Sequence, residues 1–415
     1  MSTSSSGARP ETLSNPGIPF AEFVVMIAAL MALNALALDV MLPALPDIGA
    51  SLNILEENDR QQVLIAYLIG FGGAQIFFGP VTDAYGRRSV LLGGLFLYAG
   101  ASVFSLFSET LDQLLLARVL QGVGCAATRV IAISVVRDCY SGRQMGRVMS
   151  LVMMIFMAVP IIAPSIGQAI LLVADWRWIF TMLLFSGVVM LFWCAIRLRE
   201  TLAPEDRRPM NVPAIASAYW TTVRLRESFG YTLATTFVFG GLFAFITMSQ
   251  QIFVGIYGLG VWFPAVFAAI AIAMSVSSYL NARLVERIGM RRLSHGAILI
   301  FTALGVILYA LASAGIEHFW TFTLISGLLM ACFGFIGANF NAMAMEPLGE
   351  IAGTASSVIG FITTLGGAIL GYMMGQLFNG TTQYLGLAFA LYGLGALASI
   401  IYAERGRMFN AQNRT

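Results

Sequence analysis

The polar positions of this chain fall in short gaps between long apolar stretches. Crossing the hydrocarbon core of a bilayer takes about 20 apolar residues in a helix. About twelve stretches meet that requirement: 20–43, 61–79, 89–107, 112–136, 147–173, 178–198, 229–252, 259–281, 295–314, 319–344, 352–378 and 383–403. The widest polar gap runs from Arg199 to Glu227 and holds Pro204, Arg207, Arg208, Pro209 and Pro213. The pattern therefore predicts an all-α integral membrane protein of two six-helix halves. Its parts are a tail at 1–19, a half at 20–198, a linker at 199–227, a second half at 228–403 and a tail at 404–415. The polar start of the chain lacks a signal-peptide core, so the first apolar stretch is expected to stay as a helix.

Two of the polar gaps resemble each other. GPVTDAYGRR, Gly79 to Arg88, follows the second stretch, and ARLVERIGMR, Ala282 to Arg291, follows the eighth. Gly86 aligns with Gly289, Asp83 with Glu286 and Arg88 with Arg291. This half-chain spacing marks a duplication. A glycine such as Gly79 permits close helix approach, and Gly86 suits a tight turn. Asp83 is expected to cap a helix or to accept from an arginine of the opposite half. Together with Arg87 and Arg88, the loop is a candidate latch on its side of the membrane.

Charge adds orientation. Of 23 basic residues, all arginine, Arg60 and Arg177 fall in one set of loops and Arg118 and Arg129 inside the fourth stretch. The other 19 lie in the tails and the remaining loops. Arginine-rich loops face the cytosol, so both termini are expected inside. Hydrophobic residues make up 58% of the chain and charged residues only 11%, against about 25% charged in soluble domains. A net charge of +2 spread over many loops gives no nucleic-acid partner. Cys125, Cys139, Cys194 and Cys332 are far apart and have no CxxC or histidine pairing, so neither a metal nor a disulfide is expected. Pro160 and Pro164 should bend the fifth helix. Gly367, Gly371 and Gly375, four apart, should let the eleventh approach a neighbour.

An ionisable group inside the membrane is costly and calls for a role. Three stand out, namely Asp39, Arg118 and Arg129. From the helical rise, Asp39 lies ~28 Å along the first helix and Arg118 ~9 Å below the outer surface, at similar depth. They are expected either to exchange a proton as their distance changes or to form a fixed ion pair. Arg129 lies ~16 Å deeper on nearly the same face as Arg118, lining a cavity or pairing structurally. Tyr67, Phe71, Phe243, Phe335 and Phe361 are candidate aromatic cavity residues.

These features together resemble the major facilitator superfamily over nearly the whole chain. The loop resembles its Gly-x-x-x-Asp-Arg/Lys-x-Gly-Arg-Arg/Lys pattern, with Ala84 where a base is usual. Arg118, Gln121, Gly122 and Gly124 match its fourth-helix pattern, and LDVMLPALP (Leu38 to Pro46) is similar to twelve-helix drug:proton antiporters. PIIAPSIG, DWRWIF, Glu200-Thr201 and GTASS resemble the bicyclomycin and chloramphenicol resistance (Bcr/CflA-type) branch. The antiporter fifth-helix pattern Gly-Pro-x-x-Gly-Gly stands here as Ala163-Pro164-Ser165-Ile166-Gly167-Gln168.

The resemblance implies a transporter of the bacterial inner membrane that acts as a monomer, without a cofactor, driven by a proton gradient. Its cargo would be small and drug-like, its other partners protons and membrane lipid. Asp39 and Arg118 would couple protons, while Gly79, Asp83, Gly86, Arg87, Arg88, Glu286, Gly289 and Arg291 would gate. Import of a nutrient-like molecule is the alternative direction. An enzyme is disfavoured because the chain has two histidines and no His/Asp/Ser cluster. A channel is disfavoured because no ring of like charges is present.

Overall fold

The computed structural model of the chain describes residues 16–207 and 210–409; the expectations for 1–15, Arg208, Pro209 and 410–415 lie outside the described residues. Among the described residues there is no strand, and twelve helices are long and apolar enough to cross a membrane. The first half contains α1 (Phe20–Asp39), the short α2 (Leu45–Ser51), α3 (Gln62–Tyr85), α4 (Arg87–Leu106), α5 (Leu111–Cys139), α6 (Gly142–Leu171) and α7 (Arg177–Arg197). A further helix, α8 (Val212–Arg224), sits in the linker. The second half contains α9 (Arg226–Gln250), α10 (Phe263–Ile288), α11 (Met290–Ser313), α12 (Phe319–Met345), α13 (Ala352–Gly375) and α14 (Gln383–Ala403).

The duplication is visible in the backbone. α3 turns into α4 at Gly86 with φ 92 and ψ 154, and α10 turns into α11 at Gly289 with φ 92 and ψ 148. Only glycine reaches that region without strain, which explains why this residue occupies the corresponding place in both copies. The spans that open the two halves are also its most enclosed: 72% of the first and 78% of the seventh apolar window is buried. α6 remains one helix through Pro160 and Pro164.

In the first half, α5 packs between α3 and α4. A Cβ on Gly122 would strike the Tyr67 carbonyl, and one on Gly70 the Val119 carbonyl, so α3 and α5 touch backbone to backbone. The halves meet along two seams, α3 against α13 and α6 against α10. Gly367 and Gly371 face Phe239 and Phe243 of α9, whereas Gly375 faces Gln61 of the other half.

Candidate functional site

Asp39 is the last residue of α1, and its side chain is buried. The chain then passes through a 3-10 turn, Leu42–Ala44, because Pro43 and Pro46 cannot continue an α-helix. Arg118 of α5 is fully buried, but the pair expected with Asp39 is not made. Its guanidinium donates to the Ala37 carbonyl at 3.0 Å, the Val63 carbonyl at 3.1 Å and Gln121 Oε1 at 2.5 Å. It also lies 4.6 Å from the centre of the Tyr67 ring. The last carbonyls of a helix lack intrahelical donors. Arg118 fills that need at Ala37, two residues before Asp39, and so fixes where α1 ends. Among the described residues Asp39 has no ion pair. Gly167 of α6 lies against the turn that follows, since a Cβ there would meet the Val40 carbonyl. The one glycine retained after the proline in the fifth-helix pattern is therefore the one that abuts the Asp39 turn.

The aromatic candidates divide. Tyr67 and Phe71 are buried and stacked at 6.1 Å, with the Tyr67 hydroxyl donating to Asn34 Oδ1 at 3.0 Å. They underlie the two arginines instead of facing open space. Arg129 is half-buried, 5.8 Å from the Phe71 ring, with no ion pair among the described residues. Phe243 is buried against Phe239, whereas Phe335 is half-buried. Phe361 lies elsewhere, in a cavity of about 360 Å³ between α3, α8 and α13.

The repeated loop holds each half together, and Asp83 neither caps a helix nor reaches across. Asp83 sits in the last turn of α3 and pairs with Arg87 at 2.5 Å; Arg87 also pairs with Asp138 of α5 at 3.1 Å. The role expected of Asp83 at a helix start belongs to Glu200. Its carboxylate accepts from the backbone N–H of Arg87 at 2.8 Å and of Arg88 at 3.1 Å, the first turn of α4. The two loops differ in the second half. Arg291 pairs with Glu404 at 2.7 Å and with Glu346 at 3.6 Å, while Glu286 is exposed and has no ion pair among the described residues. Glu404 also accepts from Tyr231 at 2.5 Å, and Tyr231 meets His295 at 3.0 Å. None of the seven ion pairs among the described residues joins the two halves.

What joins them is a set of uncharged amides at one end of the seam, on residues that no charge or motif singles out. Gln61 donates to Gln251 at 2.6 Å and to the Gly375 carbonyl at 3.2 Å. Gln251 donates to Asn58 at 2.8 Å, and Asn58 to the carbonyls of Gln376 at 3.2 Å and Phe378 at 2.9 Å. Gln376 returns a bond to the Asn58 carbonyl at 3.0 Å. Gln251 opens a π-helical stretch, Gln251–Ile256, which widens the end of α9 and turns its amide across the seam. Midway down, Gln75 donates to Thr364 at 3.3 Å. Towards the opposite end the approach is steric, with Ser357 beside Gly79 and Arg137 over Gly353.

The linker helix engages the same seam. Pro80 lies within α3 and has no N–H for the carbonyl four residues earlier, that of Ile76. The Tyr219 hydroxyl of α8 donates to that carbonyl at 2.6 Å. Burial pushes the Tyr219 hydroxyl up to about 12, so it remains a donor throughout the physiological range. The only signal in the sequence was Pro80 itself.

A family model described as Major Facilitator Superfamily matches residues 27–371. The chain belongs to the Major Facilitator Superfamily. This facilitator is a multi-pass membrane transporter and not an enzyme. It is 30% identical over 358 residues to a bicyclomycin resistance protein homolog of Haemophilus influenzae, covering 86% of this chain and 89% of the relative. It is 28% identical over 361 residues to a chloramphenicol resistance protein of Pseudomonas aeruginosa, covering 84% and 81%. Among solved structures it superposes on a D-xylose–proton symporter with a TM-score of 0.70 at 14% identity, covering 94% and 98%. A human organic anion transporter gives 0.69 at 16% identity, covering 93% and 100%. One facilitator fold thus serves different cargoes, and the superpositions carry the fold alone.

Proposed function

We propose that this facilitator exports small amphipathic, antibiotic-like molecules across the bacterial inner membrane in exchange for protons, as a monomer with both termini cytosolic. The cargo class rests on the relatives named for bicyclomycin and chloramphenicol resistance. The observation that carries the coupling is Asp39, a buried carboxyl with no cation paired to it, at the hinge between α1 and the proline turn. Arg118 acts by positioning, since it ends the helix just before the acid. When the seam opens on one side, the surroundings of Asp39 change and the proton is exchanged there. Arg129 and Phe335 offer a cation and an aromatic face to a substrate between the halves. Alternating access then consists of breaking the amide set at the outer end and re-forming it.

The test is drug uptake into everted vesicles with the lumen acidified. The native protein should accumulate chloramphenicol only while the pH gradient lasts. Asp39→Asn should insert and fold normally but lose gradient-driven uptake. Full uptake by that variant would remove Asp39 from the coupling, and absence of uptake by the native protein would refute export.

A further inference from the structure

Basic side chains gather where the start of α4 meets the end of α7, away from the transport path. A cavity of about 410 Å³ opens there, lined by Arg88, Ser89, Ile196, Arg199, Glu200 and Arg207 among others. Three guanidinium groups share this space with one carboxylate. That carboxylate is already committed, because Glu200 accepts from the backbone N–H groups of Arg87, Arg88, Thr201 and Leu202. Among the described residues none of Arg88, Arg199 and Arg207 takes part in an ion pair. Arg88 donates once, to the Ala195 carbonyl at 2.6 Å. Arg199 lies over Gly17, and the Arg207 guanidinium over the Gly86 turn. The cavity therefore presents an excess of positive charge and donors in forks that match a phosphate.

Its position selects the source of the phosphate. Ile196, on the cavity wall, is 77% exposed and ends a row of exposed apolar side chains on α7, Phe185, Val189 and Phe192. Spacings of four, three and four residues place them on one face of the helix. On a membrane-spanning helix such a face meets acyl chains. A basic cavity continuous with an apolar face, at the cytosolic boundary, matches a phospholipid with a negative head group and not a soluble anion alone.

We propose that this cavity is a binding site for one anionic phospholipid. The head-group phosphate lies between Arg88, Arg199 and Arg207, and an acyl chain runs along Ile196, Phe192, Val189 and Phe185. The lipid would then rest against the turn that Glu200 and Arg87 hold at the start of α4.

The test uses the purified full-length protein, with native mass spectrometry counting retained lipid. Phosphatidylglycerol, phosphatidylcholine of the same acyl chains, and inorganic phosphate serve as probes. The expected result is one retained phosphatidylglycerol, no comparable retention of phosphatidylcholine, and no displacement by inorganic phosphate. Arg199→Gln with Arg207→Gln should weaken retention about thirtyfold, the worth of two interfacial arginines. Arg405→Gln with Arg407→Gln, which removes two charges elsewhere on the cytosolic side, should retain it. Arg199→Lys with Arg207→Lys should keep most of the binding. Equal losses in the 199/207 and 405/407 glutamine variants, or equal retention of phosphatidylcholine, would overturn the site. Displacement by inorganic phosphate would reassign the cavity to a soluble anion.

Discussion

Replacing Gln251 with leucine should release the amide end of the seam while leaving each half intact. The substitution keeps nearly the same volume, so packing against α9's neighbours changes little. It removes two of the six hydrogen bonds that cross between the halves there, Gln61 to Gln251 at 2.6 Å and Gln251 to Asn58 at 2.8 Å. At about 1 kcal/mol net for each, the state closed at that end loses roughly 2 kcal/mol, a shift of about thirtyfold in population. The assay is pulsed electron resonance between spin labels on Leu55→Cys and Trp262→Cys. These positions are 94% and 71% exposed, in connecting segments of opposite halves at the amide end. The four native cysteines are buried and do not compete for label. The long-distance population should rise sharply in the Gln251→Leu variant. Gln61→Leu, which also removes two of the six bonds, should give a similar rise, and the double variant less than the sum, because the two share a bond. An unchanged distance distribution would mean that the amides do not hold the gate.

The network is also incomplete in a useful way. Gln61 Oε1 is buried without a hydrogen-bond partner, although its Nε2 makes two bonds. An unsatisfied buried acceptor raises the free energy of the closed state and regains water on opening. The amide end is thus held, but not held hard.

Three other outcomes follow from particular contacts. Tyr219→Phe strands the Ile76 carbonyl and should loosen α8 by about 1–3 kcal/mol, read as faster amide exchange over 212–224 with no change elsewhere; unaltered exchange would show that the bond does not dock the helix. Gly122→Ala places a methyl against the Tyr67 carbonyl and should destabilise the first half by about 1–3 kcal/mol, seen as a lower melting temperature in detergent, and an unshifted melt would contradict the backbone contact. Between α11 and α12 Glu317 accepts from Thr382, and burial raises its carboxyl above the usual glutamate range. The folded state then binds the proton more tightly than the unfolded one, so this stability is present in acid and lost as pH rises through the folded-state value. Glu317→Gln should flatten that part of the pH–melting profile; a profile identical to the native one would rule the group out.

How much of this was legible beforehand depends on the kind of signal. The apolar blocks and the paired turns at Gly86 and Gly289 could be read directly, because a span length and a positive φ each leave a local mark in the sequence. The linker helix left a weaker one. Asn211 accepts from Ala214 N–H at 3.2 Å and caps α8, yet in a gap dense with prolines it reads as connection. Asp39 and Arg118 stood out as charges, and estimated depth brought them near each other. Depth along two helices does not fix which acceptors a guanidinium chooses. The free carbonyl at the end of α1 and the Gln121 amide one turn away satisfied Arg118 first.

The amides carry no comparable mark in the sequence. Asn58 and Gln376 are 318 positions apart, and no amide carries the cost that makes a membrane arginine conspicuous. That same lack of charge suits them to their place. An ion pair in a dehydrated seam is costly to separate once formed, since removing one partner leaves a charge uncompensated. Here the ion pairs stay inside a half, where nothing needs to part: Arg87 with Asp83 and Asp138, Arg291 with Glu404. The contacts that must break in each cycle are neutral and individually weak. Being uncharged, they also do not titrate, so closing the amide end does not depend on the proton that Asp39 is proposed to carry. Strong bonds thus make each half rigid, and weak ones leave the halves free to move against each other.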